Sequence, residues 1–281
     1  TRGRSRRAQL MTANAAGARA TGSPAAAQLL VADSFRVRVH GGRAEARGFP
    51  LHVARFRHSA LAAAADAGGP DGFAAGFTTE LDLFLETAAD RIAAAGAGFP
   101  RLELWRDGAG PGTGGGGALA FDLLLRPIPE LSGEIALRTA WDASPLPHPE
   151  RKGPGIAAYA AFGAELGAEP LLVDADGVVL EGGTTSLLWW VGDEACYAAP
   201  QARVASVTER LVLNALQGLG VRVSADTATP DELARTEVWA LNALHGIRRV
   251  TSIDGHELPP RRDASLLLAQ TALDACFAPI G

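Results

Sequence analysis

The chain has one lysine. Among 281 residues it carries 26 basic side chains, and all but Lys152 are arginine. A coding bias toward Ala, Gly and Arg replaces lysine wherever arginine serves. Ion pairs, phosphate clamps and solubility all lie within arginine's reach. A neutral amine at working pH and an imine to a carbonyl carbon do not, because guanidinium stays protonated while a buried ammonium can lose its proton. The surviving lysine is therefore a candidate nucleophile or base, and a chance lysine on a loop is the alternative. Cysteine is almost as scarce. Cys196 and Cys276 stand far apart, which fits no metal-ligand spacing and no disulfide framework, so no metal and a reducing cytoplasm are expected. No apolar run approaches the length of a membrane span. No basic stripe with interleaved aromatics appears, and the net charge is −5, which argues against a nucleic-acid partner.

What is present is enough for a large core, with 47% hydrophobic residues, in one large domain or two moderate ones. Residues 1–25 have arginines before an unpatterned Ala/Gly/Ser/Thr stretch and are set aside as a leader. Residues 29–39 alternate as one strand, with Phe35, Val37 and Val39 on one face and Arg36, Arg38 and His40 on the other. Gly41-Gly42 turns it into a return strand over 43–47. Helices follow over 51–67 and from a cap at Thr78. Strands 101–106 and 118–126 flank a glycine-dense stretch, 107–117. That stretch lacks a following Gly-Lys-Ser/Thr and is expected to be a hairpin loop rather than a phosphate cradle. Residues 134–141 are a further strand.

The proline- and charge-rich segment 142–154 reads as a linker carrying Lys152 between an N-terminal α+β domain (26–141) and a C-terminal domain (155–281). A helix is expected over 155–166, with hairpins turning at 174–177 and 192–193. Ser206 should cap a helix, with Glu209 completing a capping box. A hairpin at 254–255 and a closing helix over 264–277 end an α+β chain without internal repeats.

Three features of the second half suggest chemistry. They are Lys152, Glu181 at a strand end before Gly182, Gly183, Thr184, Thr185 and Ser186, and Ser206-Val207-Thr208 at a helix N-terminus. The glycines permit close approach of a ligand, and free N–H groups with the helix dipole favour a phosphate. An amine, a carboxylate and an anion cup are together what pyridoxal phosphate requires. A surface acid and simple helix caps are the plainer alternatives.

The sequence resembles the class IV aminotransferases of fold type IV, which include branched-chain and D-amino-acid aminotransferases and aminodeoxychorismate lyase. The resemblance is carried by Leu-Leu-Val-Asp-Ala-Asp-Gly-Val-Val-Leu-Glu-Gly-Gly-Thr-Thr-Ser at 171–186, Ser-Val-Thr-Glu-Arg-Leu-Val-Leu at 206–213 and Trp-Ala-Leu-Asn-Ala-Leu-His-Gly-Ile-Arg-Arg-Val at 239–250. Shorter matches are Asp-Ser-Phe-Arg-Val at 33–37 and His-Val-Ala-Arg-Phe at 52–56. It implies a two-domain α+β architecture with pyridoxal 5'-phosphate between the domains, usually in a homodimer. Lys152 then looks like the Schiff-base lysine and proton shuttle, and Glu181 like the partner of the ring nitrogen. Arg55, Val207 and Thr208 resemble phosphate contacts. Thr185 belongs to the cofactor-side hydroxyl run, and Asn242 and Ala243 to a second loop at the cofactor.

On the substrate side the candidates are Arg36, Arg38 and His40, which share a face, and Tyr159. The interval from Lys152 to Glu181, 29 positions, is about one helical turn shorter than the family pattern. Lyase chemistry is the first expectation: Lys152 removes a ring proton beside the substrate amine, and pyruvate and 4-aminobenzoate leave. It is inclined by Asn242-Ala243-Leu244 and by two arginines suited to two carboxylates. A transaminase acting on a small amino acid and a 2-oxo acid is the second. A non-catalytic binding protein on the same scaffold, suggested by the short segment after Lys152, is the third.

Overall fold

The protein's structure is a computed structural model, which describes residues 27–68, 75–107, 117–140, 148–199, 203–259 and 263–281. The leader, most of the glycine-dense stretch and the first half of the linker lie outside the described residues.

The chain opens with β1 (Gln28–Ser34), β2 (Val37–His40) and β3 (Arg43–Arg47), then two long helices, α1 (Phe49–Gly68) and α2 (Ala75–Ala95), then β4 (Arg101–Arg106) and β5 (Leu119–Leu124). The strand expected over 29–39 is two. At Phe35-Arg36 the backbone leaves one sheet for another, and the Arg36 N–H donates to the Ala243 carbonyl. β1, β4 and β5 form an antiparallel sheet in the order β1-β4-β5. Phe56, Ala60, Leu81 and Ile92 from the two helices close over it with Leu102 and Leu104, all essentially buried. α2 begins at Ala75, so Thr78 lies within the helix and does not cap it.

The rest is built on a nine-stranded sheet. It contains β6 (Glu134–Ala140), β7 (Glu169–Val173), β8 (Val179–Gly182), β9 (Ser186–Val191), β10 (Glu194–Ala198), β11 (Arg222–Asp226), β12 (Val238–Asn242), β13 (Gly246–Ile253) and β14 (His256–Glu257). The order is β11-β10-β9-β12-β13-β6-β7-β8, with β14 on β13. Among its helices are α3 (Ile156–Leu166), α4 (Val207–Gly218), α5 (Pro230–Leu233) and α6 (Asp263–Asp274). The apolar run over β9 is explained by burial on both faces. Leu187 and Trp189 point to one core, while Leu188 and Trp190 point to another shared with Val212 and Leu216 of α4 and Leu266 and Leu273 of α6. The period of two assigns each neighbour to the opposite core.

Two connections tie the sequence halves together. β6 precedes Lys152 in the chain yet runs parallel to both β13 and β7 in the large sheet, and the return to β7 passes through α3. At the other end the closing helix stops at Asp274, short of the expected 277. Phe277 instead begins β15 (Phe277–Pro279), which pairs antiparallel with β3 in a small sheet ordered β15-β3-β2. Among the described residues no helix is long and apolar enough to cross a membrane.

Candidate active site

Lys152 is held by its backbone. Its carbonyl accepts from the Ala32 N–H of β1 at 2.7 Å. The next residue, Gly153, has φ +136°, and a Cβ there would stand 2.5 Å from the Ala32 nitrogen. Only glycine fits at this crossing. The Lys152 side chain lines a cavity of about 310 Å³. Burial, then Arg55, push its pKa below the ordinary lysine value, with Asp33 and Glu181 partly opposing them.

Arg55 is fixed by a buried carboxylate. Its Nε and one Nη donate to the two oxygens of Asp33 at 2.8 Å, and the other Nη donates to the Ala205 carbonyl at 2.9 Å. His52, one turn earlier on α1, meets the same Asp33 through Nδ1 at 2.8 Å. Burial alone would raise Asp33, but Arg55 and His52 outweigh it and hold the carboxyl well below its usual range. His52 is itself pushed down by burial, against the pull of Asp33. A neutral ring then donates Nδ1–H to the carboxylate. The network anchors Arg55 beside the start of α4. There Ser206 caps, its Oγ accepting from the Glu209 N–H at 3.2 Å. The first-turn N–H groups of Val207 and Thr208 are left for a ligand. The expected capping box is only half made, because the Glu209 carboxylate is paired with Arg203 at 2.9 Å.

Glu181 lies on β8, 8% exposed. Burial raises its pKa to about 7, although Arg203, Lys152 and the Val204 N–H all favour the charged form. Tyr159 on α3 lines the same cavity, and its phenol is pushed up by burial and by Glu181. The glycines after Glu181 serve the protein. A Cβ on Gly182 would strike the Thr185 hydroxyl, and one on Gly183 would press on Tyr159 and Pro170. Both glycines also line the cavity, where backbone without a Cβ allows the close approach expected of them. Thr185 donates to Glu169 at 3.3 Å. The Asn242 side chain accepts from the N–H groups of Leu244 and His245 at 3.2 and 2.8 Å, shaping the turn from β12 to β13 that carries Ala243 to the cavity.

Arg55, Lys152, Tyr159, Glu181, Thr185, Val207, Thr208, Asn242 and Ala243 thus surround one cavity. Arg36, Arg38 and His40 do not line it. Arg38 pairs with Glu45 at 2.9 Å, His40 is mostly exposed beside the same acid, and the Arg36 and Arg38 guanidiniums sit over the Phe277 ring, 5.3 and 4.0 Å from its centroid. Sequence reasoning missed Asp33 and His52 as partners of Arg55, and it missed Arg126 and Arg248, which line the cavity. For Asp33 and His52 the two short N-terminal matches contained the signal. Arg126 and Arg248 lie on stretches whose neighbours only the tertiary fold reveals.

The donor set fits pyridoxal phosphate. Lys152 offers the amine, Glu181 a buried acid for the ring nitrogen, and Arg55 with the Val207 and Thr208 N–H groups an anion cup. The model of the family described as amino-transferase class IV matches residues 30–253. The chain belongs to that family. Class IV aminotransferases are pyridoxal-phosphate enzymes. Among solved structures the fold is similar to a branched-chain amino acid aminotransferase from T.th., complexed with N-(5'-phosphopyridoxyl)-L-glutamate, with 18% identity, 89% of each chain covered and a TM-score of 0.70. It is also similar to the Escherichia coli branched-chain amino acid aminotransferase, with 17% identity, 85% of this chain and 83% of that one covered and a TM-score of 0.68. A hypothetical aminotransferase from Mycobacterium tuberculosis gives 19% identity, 89% and 88% coverage and a TM-score of 0.65. These likenesses establish the fold type IV architecture of the class IV chain. Comparison with the curated proteins gives no match.

Proposed function

We propose that this class IV enzyme is a transaminase, moving an amino group between a small amino acid and a 2-oxo acid. The observation that carries the proposal is the convergence on one cavity of the only lysine, a buried acid and the open N-terminus of α4. Bound pyridoxal phosphate supplies a carbonyl carbon for an imine and a ring that accepts the electrons released at the substrate. Glu181 would be the acid that holds the ring nitrogen in its protonated form, since a cationic neighbour would restore the charge that burial alone suppresses. Arg55 and the α4 N–H groups fix the phosphate. Lys152 would take the proton from the substrate Cα and carry it for return, a role that needs an amine of lowered pKa. Arg126, whose Nε and Nη2 donate to the Phe99 carbonyl and the Ser34 hydroxyl at 3.1 Å and which forms no ion pair among the described residues, has charge left for the substrate carboxylate.

The lyase alternative keeps its support from Asn242-Ala243-Leu244. Its expected carboxylate pair, Arg36 and Arg38, is turned toward Phe277 and Glu45. The test incubates the yellow holoenzyme with single amino acids and follows loss of the aldehyde-form absorbance, with a parallel incubation in aminodeoxychorismate followed by pyruvate. Conversion to the amine form by at least one amino acid, without pyruvate release, is expected. Pyruvate release without amine form would replace transaminase by lyase. Lys152→Arg should lower the rate by at least ~10³-fold, and retention of activity would remove Lys152 from its role.

A further inference from the structure

Arg248 is a charge in the cavity that no described residue of the chain answers. It lies on β13 opposite Ala240 of β12, is 8% exposed and lines the same cavity as Lys152. Among the described residues its guanidinium makes no hydrogen bond and no ion pair, and its Nε is buried without a partner. Among the described residues the acid whose field acts on it is Glu169. That carboxylate is tied to the 184–185 turn, its Oε1 accepting from the Thr184 N–H at 2.6 Å, the Thr184 hydroxyl at 2.8 Å and the Thr185 hydroxyl at 3.3 Å, and it makes no ion pair with Arg248 among the described residues. His245, the other polar neighbour on the turn, supplies no negative charge. Burial, then Arg248 and Arg36, lower its pKa to about 4, and its Nδ1 accepts from the Ser132 N–H at 3.2 Å.

A guanidinium buried away from water without an anion is costly. Chains retain such a group where a ligand brings the anion, and a planar fork selects carboxylate, which it binds through two parallel hydrogen bonds. Arg101, Arg151 and Arg55 in the same lining all have carboxylate partners within the chain. Arg126 and Arg248 do not, so the cavity presents two guanidiniums for two anionic groups.

We propose that Arg248 is a specificity-determining residue that receives a second carboxylate, so that the site takes an amino acid or 2-oxo acid with an acidic side chain. The proposal rests on the transaminase reading for the words amino acid and 2-oxo acid; the carboxylate contact itself does not depend on turnover. The test therefore uses ligands that bind without reacting. Glutarate, a five-carbon diacid, and valerate, its monoacid counterpart, are titrated into the pyridoxal-phosphate-loaded protein by calorimetry.

The wild type is expected to bind glutarate at least tenfold more tightly than valerate, and Arg248→Met to lose at least tenfold of that margin. Equal affinity of the wild type for both acids overturns the proposal. So does a margin that survives in Arg248→Met, or a loss equal for the two acids. If Arg248→Met does not accumulate as folded protein, Arg248→Gln, which keeps a polar group at the buried position, gives the same reading. A protein that passes this test yet converts no amino acid retains the carboxylate site and loses the transaminase assignment.

Discussion

Glu181 is a buried acid whose charge the fold does not by itself support. Its pKa rises from the ordinary 4.5 to about 7, with burial as the main cause. Between those values the folded state holds a proton that the unfolded state has released. Stability of the cofactor-free protein therefore falls as pH rises through this window. At about 1.4 kcal/mol per unit the full effect is on the order of 3 kcal/mol. Urea melts of the cofactor-free wild type and of Glu181→Gln at pH 5 and pH 8 should show the difference: the variant lacks this part of the pH slope. Identical slopes would mean that Glu181 is ionised in the folded protein at low pH. The residues most legible in the sequence are those in contiguous stretches, such as Glu181 before its glycines or Val207-Thr208 after Ser206. Arg36, Arg38 and His40 were not, because alternation says which side chains share a face and not what covers it. Phe277, from the far end of the chain, packs under both arginines.

At the scale of elements the site depends on backbone crossings. Lys152 is carried by no helix or strand; it is pinned where its carbonyl meets β1, and Gly153 allows that meeting with φ +136°. A methyl group at 153 would meet the Ala32 nitrogen at 2.5 Å and the Val31 carbonyl carbon at 2.8 Å, contacts with backbone that cannot yield. Gly153→Ala should destabilise the protein by at least about 2 kcal/mol and, more diagnostically, weaken pyridoxal phosphate binding at least tenfold, read by fluorescence titration. Unchanged cofactor affinity would show that Lys152 is positioned by something other than this crossing.

Hairpins and most helices could be read from turn residues and periodicity: β7 to β8 turns over 174–177, and β9 to β10 over 192–193. The sheet order could not. Nothing local in residues 134–140 says that they pair in parallel with β13 and β7. A capping box is likewise a local signal that tertiary charge can override. Arg203 draws Glu209 away from Ser206, while at α5 an unanticipated box forms between Thr229 and Glu232.

The whole molecule separates its charge. Its net charge is −5, yet Arg55, Arg101, Arg126, Arg151, Arg248 and Lys152 line the cavity, with Glu181 the only acid in the lining among the described residues. Carboxylates outside the lining neutralise Arg55, Arg101 and Arg151. Arg126 and Arg248 remain as the excess, inside walls of low dielectric that concentrate their field. An anionic substrate is thus drawn to a cationic recess of a negative protein. Screening weakens that attraction, since the Debye length shrinks from about 30 Å at 0.01 M salt to about 10 Å at 0.1 M. The association rate of glutarate with the holoenzyme, measured by stopped flow on the cofactor absorbance, should fall at least threefold between those two ionic strengths. In Arg248→Met the fall should be smaller, because one of the two excess charges is gone. A rate independent of salt would mean that the bulk negative charge cancels the cavity field at the distance where encounter is decided.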